Sequence, residues 1–213
     1  MSKFIRIAID LGKNYFQVHG LESEGGRSIS RKIKRSKVHE VCSQIEPCRV
    51  GMEACGSAHY WARELTAMGH EVVLIPPAYI KPYVKRGKND AVDAAAICEA
   101  MSRPNMRFVP IKNGEQQAIL AQHRARQGFV KARTAQANQI RGLLAEYGIV
   151  IPKGIGHIGK CLPEILEDGE NELPGIFRQL IDRLGSNLKE LDRQVKELEV
   201  QIQTWHRNSV DSK

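Results

Sequence analysis

The first apolar run, residues 4–10, alternates and is rich in β-branched positions, which predicts a strand. Leu11-Gly12-Lys13-Asn14 follows as a turn, residues 15–19 as the return strand of a hairpin, and Ser28–Lys34, after Gly25-Gly26, as a third alternating strand. Ser36 is placed to cap a short helix through Ile45. Residues 49–52 read as a buried strand. Gly56 or Ser57 opens a helix over residues 59–68 that Gly69 ends. Glu71–Ile75 is a further strand closed by Pro76-Pro77. Asn89 or Asp90 opens a helix to about Met101, short of Pro104.

A strand meander followed by alternating helix and strand predicts the α/β class, with a mixed sheet flanked by helices on both faces. The ribonuclease H-like fold has this order of elements, and half of the actin-like ATPase fold has roughly the same. Residues 1–112 form the first part of such a domain, and a long basic helix within 113–150 completes or flanks it, stopped by Gly148. Residues 151–175 are dense in Gly and Pro and read as a loop-like connection. In 176–207, Leu180, Leu184, Leu188, Leu191, Val195, Leu198, Ile202 and Trp205 recur mostly at alternating steps of three and four. This is the pattern of a coiled-coil seam, either dimerising or within a hairpin. One amphipathic helix packed on its own domain fits the same pattern.

The 213 residues carry a net charge of +8, which favours an anionic partner, most simply nucleic acid. The charge is uneven. Residues 101–145 hold eight Lys/Arg against one acid, whereas residues 164–205 hold ten acids against five bases. Five cysteines without a paired CxxC spacing argue against structural zinc and a disulfide framework, and for reduced thiols in a soluble intracellular protein. No apolar run approaches the roughly 20 residues of a membrane span. The start of the chain lacks the apolar segment of a secretory leader.

Two apolar strands end in acids: Asp10 in Ile7-Ala8-Ile9-Asp10 and Glu53 in Val50-Gly51-Met52-Glu53. Asp90 and Asp93 lie three apart on a helix and share a face. Mg²⁺ takes oxygen ligands, usually one or two carboxylates with water and substrate phosphate. Acids at strand ends, brought side by side by sheet pairing, are what divalent-metal phosphodiester chemistry needs. Singly, each has a plainer role. Asp10 suits a turn, Glu53 a surface, Asp90 an N-cap and Asp93 a first helical turn. Asp10-Leu11-Gly12 is also similar to the phosphate-binding turn that opens sugar kinases and actin-like ATPases.

The segments Ile9-Asp10-Leu11-Gly12-Lys13, Gly51-Met52-Glu53-Ala54-Cys55-Gly56-Ser57 and Lys88-Asn89-Asp90-Ala91-Val92-Asp93-Ala94 resemble the IS110/IS1111 family of DEDD transposases. So does the long stretch from Arg133-Thr134-Ala135-Gln136 to Glu146-Tyr147-Gly148-Ile149. The resemblance implies a RuvC-like ribonuclease H fold. Asp10, Glu53, Asp90 and Asp93 would then be the catalytic tetrad that binds Mg²⁺ or Mn²⁺. It further implies DNA as substrate, assembly of a homo-oligomer through a coiled coil, and a cytoplasmic, nucleoid-associated setting. Some members use a structured guide RNA to choose target and donor sites. In the family a C-terminal domain supplies a serine implicated in strand exchange. No segment here resembles that domain, so none of Ser57, Ser186 and Ser209 is assigned the role. The expectation is a chain incomplete for recombination alone, or else a non-catalytic module that binds nucleic acid and dimerises.

Lys34, Arg35, Lys85, Arg86, Lys88, Arg124, Arg126, Arg133 and Arg141 are the expected nucleic-acid contacts. Phosphate contacts of this kind position a ligand without reading its sequence and make binding steeply salt-dependent. A solvated helix face is the plainer reading for the arginines. Trp61, Tyr79, Tyr83 and Phe129 read as core or local packing.

Overall fold

Ile7 and Ile9 pack into one face of strand β1 (Arg6–Leu11) and Ala8 into the other, and both faces are covered. Such two-sided burial belongs to a central strand. The computed structural model describes residues 3–24, 26–85 and 89–209. After β1 come β2 (Tyr15–Leu21), β3 (Ser28–Lys34), α1 (Val38–Cys42), β4 (Arg49–Glu53), α2 (Ala58–Ala67), β5 (Glu71–Ile75), α3 (Pro77–Ile80) and α4 (Asp90–Ala100). The sheet runs β3-β2-β1-β4-β5. β1, β2 and β3 are antiparallel neighbours, whereas β4 and β5 continue from β1 in parallel. This is the expected α/β ribonuclease H-like sheet.

On one face, Ile7, Ile9, Phe16, Val50, Met52 and Leu74 bury against Val38 and Cys42 of α1 and Ala58, Trp61, Ala62 and Leu65 of α2. On the other, Ala8, Val73 and Ile75 meet Ile80 of α3, Ala96, Ile97, Cys98 and Ala100 of α4, and Met101. The missing side chain of Gly51 lets the end of α4 lie close to the sheet. A Cβ there would stand 2.8 Å from Met101 Sδ and 3.4 Å from Ile97 Cγ2. The five cysteines are all free.

The chain divides into two units, Met1–Asn113 and Gly114–Lys213. The second holds α5 (Gly114–Ala145), α6 (Ile155–Glu167) and α7 (Gly175–Asn208). α5 and α7 run antiparallel, as the cross-helix pairs Arg126–Glu199, Arg133–Asp192 and Gln136–Asn187 show. Of the seam residues of α7, Leu188, Val195 and Ile202 are buried at seven-residue spacing, and Leu180 is exposed. The seam is thus covered, at least in part, within the chain. α5 groups with α6 and α7, rather than completing the sheet domain, because Ala137, Ile140 and Leu144 share a core with Ile158, Leu162, Phe177 and Ile181. α5 ends just before Gly148, which adopts φ +75°.

Residues 151–175 are not a loop throughout, since α6 occupies thirteen of them. Its Ile155, Ile158, Leu162 and Ile165 make one apolar stripe at helical spacing. Gly156, Gly159 and Pro163 lie on the exposed side. Burial of the stripe overrides the low helix propensity of Gly and Pro.

Candidate functional site

β1 and β4 are parallel neighbours, and Ile9 pairs with Met52. The next residue on each is a carboxylate, Asp10 and Glu53. Side chains alternate between faces along a strand, so Asp10 shares the face of Ala8, and Glu53 that of Gly51. That face is the one α4 covers. α4 begins at the same place. Asn89 caps it, its Oδ1 accepting from Val92 N at 2.9 Å, and Asp90 and Asp93 fall in the first turn. The alternation, the parallel register and the cap thus bring all four acids toward one end of one face.

The electrostatics agree. Burial, followed by the negative fields of Asp93, Asp90 and Glu53, pushes the Asp10 carboxyl up to about 6. Each of the other three acids is near enough to disfavour a charge on Asp10. Asp90 instead accepts a 2.8 Å hydrogen bond from Lys32 Nζ, and this bond holds its carboxyl below the ordinary range.

Lys32 is absent from the sequence-based expectations, and register explains its place. Asp10 pairs with Gln17 and Gln17 with Lys32, so the three lie in one row across β1, β2 and β3, all on the α4 face. Gln17 is buried between them and donates to Ser30 Oγ at 2.8 Å. The alternation of β3 was visible in the sequence, but the pairing that aims Lys32 at Asp90 needs the sheet.

The donor set is all carboxylate oxygen, the hard kind that Mg²⁺ and Mn²⁺ take. The mutual repulsion at Asp10 is the charge a divalent cation would relieve. The four acids therefore fit such an ion in donor type and in field. Among the described residues, no three His, Cys, Asp or Glu side chains are drawn together into a ligand cluster.

The expected nucleic-acid contacts fare unevenly. Lys34 is exposed at the end of β3, with Arg35 just after it and Lys85 exposed beyond α3. Arg86 and Lys88 lie outside the described residues. Arg124 is exposed on α5. Arg126, by contrast, is paired with Glu199, and Arg133 with Asp192 at 2.6 Å. Arg141 donates to the backbone carbonyls of Pro152 and Gly154 at 3.3 and 2.7 Å. Arg126 and Arg133 tie the basic α5 to the acidic α7, and Arg141 ties α5 to the segment before α6. Trp61 is packing, as expected, with its ring 5.2 Å from that of Phe16.

A transposase family model of the IS110 DEDD type matches residues 7–149. The chain belongs to the IS110 family of DEDD transposases. Among curated proteins it is 47% identical over 199 residues to the "Probable family 20 transposase" of Pseudomonas aeruginosa, covering 93% of this chain and 59% of that protein. It is 41% identical over 196 residues to the transposase for insertion sequence element IS1328 of Yersinia enterocolitica, covering 92% and 58%. To the transposase for insertion sequence element IS1111A of Coxiella burnetii it is 37% identical over 196 residues, covering 92% and 54%. The chain spans between half and three-fifths of the length of these relatives. The family matched is that of the transposase resemblance and not that of the actin-like ATPases. Among the described residues of this IS110-family chain, no helix is long and apolar enough to cross a membrane.

Proposed function

We propose that this chain forms the metal-binding catalytic end of a DNA transposase of the insertion-sequence type, with Asp10, Glu53, Asp90 and Asp93 as the tetrad. One observation carries the reading: the Asp10 carboxyl is raised to about 6 by burial and by the charges of the other three acids. A half-buried acid surrounded by acids is unfavourable unless a cation or a proton compensates it. A bound Mg²⁺ or Mn²⁺ would supply Lewis-acid polarisation of a scissile phosphate and orient the attacking group. Asp10 and Glu53, fixed on neighbouring strands, offer two rigid anchors. Asp90 and Asp93, on the first turn of α4, offer two more. Lys32, in the same row as Asp10, supplies a positive charge to position phosphate oxygens beside the acids.

The substrate in this reading is DNA, drawn to the basic chain by Lys34, Arg35, Lys85 and Arg124. Arg86 and Lys88 stay in the set on sequence grounds. Arg126, Arg133 and Arg141 shape the helical unit that presents Arg124. A structured RNA offers the same phosphate chemistry. Assembly into an oligomer through the helical unit is part of the proposal, with the exposed Leu180 and Val200 of α7 available to a partner. Support comes from family membership and from the placement of the four acids.

Thermal unfolding with and without Mg²⁺ or Mn²⁺ tests the assignment. The wild-type chain is expected to gain several degrees with metal, and the Asp10→Asn/Asp93→Asn variant to gain none. A ligand that binds only the folded state at a hundred times its Kd stabilises by about 2.7 kcal/mol. Equal shifts in both proteins would move the metal elsewhere and end this assignment.

A further inference from the structure

We infer that His123 of α5 and His206 of α7 form a two-imidazole site for a divalent transition-metal ion of the Zn²⁺ or Ni²⁺ kind. The site lies at the end of the helical unit where α5 begins and α7 finishes. It is independent of the four acids and of the function proposed for them.

A row of cross-helix pairs carries the argument. Asp192, Glu199 and His206 recur at seven-residue spacing along α7, so they lie on one flank of it. Asp192 accepts from Arg133 of α5 at 2.6 Å. Glu199 accepts from Nε of Arg126, seven residues earlier on α5, at 2.9 Å. His206 meets His123, with ring centres 5.7 Å apart and planes tilted by 58°. Two pairs of the row match an acid with a base, whereas the third sets one imidazole against another. Protonated, such a pair repels. Neutral, each ring offers a nitrogen lone pair, and a metal ion is the one partner that can accept both.

The geometry suits chelation. A Zn–N bond of 2.0–2.1 Å puts the ion about 3 Å from the centre of each ring, so two rings on a tetrahedral ion have centres about 5 Å apart. A small rotation of the side chains closes the remaining gap. Both histidines are exposed, so their rings can turn without disturbing a core. The backbones beneath are held, because Ile119 and Ile202, each one turn before its histidine, are buried. Imidazole nitrogen selects Zn²⁺, Ni²⁺ and Cu²⁺, whereas Mg²⁺ takes oxygen. Among the described residues no third His, Cys, Asp or Glu joins the pair, so water completes the shell. An ion held there would tie the last turn of α7 to α5.

The site has a reporter beside it. The Trp205 ring lies 5.2 Å from that of His206, close enough for a bound Ni²⁺ to quench its fluorescence. Trp61, the other tryptophan, is buried in the sheet unit.

The test is a Ni²⁺ titration of tryptophan fluorescence. The proteins are the wild-type chain, His123→Ala, His206→Ala, His123→Gln, Trp205→Phe and Asp10→Asn/Asp93→Asn. Wild type is expected to show saturable quenching that Zn²⁺ reverses by displacement and Mg²⁺ does not. Trp205→Phe should lose the signal. Each histidine variant should bind at least roughly tenfold more weakly, because one ring alone lacks the advantage of a second ligand already in place. All the histidine variants should melt with the wild type when metal is absent, since both side chains are exposed. Asp10→Asn/Asp93→Asn should bind Ni²⁺ as wild type does. Wild-type affinity in His123→Ala and His123→Gln would reduce the site to a single surface histidine and overturn the inference. Loss of the signal in Asp10→Asn/Asp93→Asn would place the ion at the acids and overturn it equally.

Discussion

Ile9 of β1 faces Met52 of β4 across a parallel ladder, and each is followed by a carboxylate on the opposite face of the sheet. Because the two strands point the same way, Asp10 and Glu53 arrive level with one another without a loop to position them. α4, laid over that face by the close approach at Gly51, brings Asp90 and Asp93 to the same end. Three features of the backbone, parallel register, pleat and helix cap, thus place the four acids.

The first consequence concerns pH. The folded Asp10 carboxyl titrates at about 6 and the unfolded one near 3.8. Between these values the folded state holds more protons than the unfolded state, so stability falls as pH rises. Below about 4 both forms are protonated and the penalty is absent; above about 6 it is fully present. Partial exposure limits its size to on the order of 1 kcal/mol. In metal-free buffer, thermal scans from pH 4 to 7 are expected to show Asp10→Asn gaining stability over wild type as pH rises. A constant difference across the range would contradict this origin of the shift.

Lys32 competes with a cation for Asp90. Removing its charge frees an acceptor and deepens the negative field. Lys32→Gln is therefore expected to bind Mn²⁺ several-fold more tightly than wild type, by titration calorimetry. Lys34→Gln, the same charge change without a bond to the tetrad, should do less. Equal effects would show that only the general field matters.

Gly51 carries the approach of α4. Gly51→Ala puts a methyl group 2.8 Å from Met101 Sδ. Overpacking of this kind costs typically 1–3 kcal/mol. Denaturant unfolding should show that loss. The crowded atom sits on the flexible Met101 side chain, at the far end of α4 from Asp90 and Asp93, so metal affinity should hold while stability falls.

The arginines of α5 should separate by role. Arg133 and Asp192 are half-buried, and their ion pair joins α5 to α7. Asp192 keeps Lys196 at 2.7 Å, so Arg133→Ala is expected to cost about 1 kcal/mol of stability and to leave the salt dependence of DNA binding unchanged. Arg124→Ala should do the reverse, with little effect on stability and a salt slope lower by about 1. Stability and salt-dependent binding, measured on both variants, distinguish the two roles.

Much of this was legible in the sequence. Period-two alternation marked β1 and β3, and the acids at strand ends marked the candidate site, because both are local properties of a short run. The closing of the seam of α7 on α5 was open, since a heptad pattern names a partner helix but not which one. α6 was hidden because Gly156, Gly159 and Pro163 are helix breakers within it, while its stripe of Ile155, Ile158, Leu162 and Ile165 depends on a core made elsewhere. Basic residues were over-assigned to phosphate for a similar reason. Arg126 and Arg133 look free until the acids of α7 are folded against them. The approach of Lys32 to Asp90 depends on cross-strand register, which one strand cannot reveal.

The most direct measurement of the central claim is Mn²⁺ titration calorimetry at pH 5.5 in two buffers of different ionisation enthalpy, which reports both affinity and protons released. At this pH Asp10 is largely protonated when metal is absent, so cation binding must expel its proton. Wild type is expected to bind with release of a substantial fraction of one proton per ion, and Asp10→Asn to bind far more weakly without release. Binding of the same strength to Asp10→Asn, or binding by wild type with no proton released, would contradict a metal site built on Asp10.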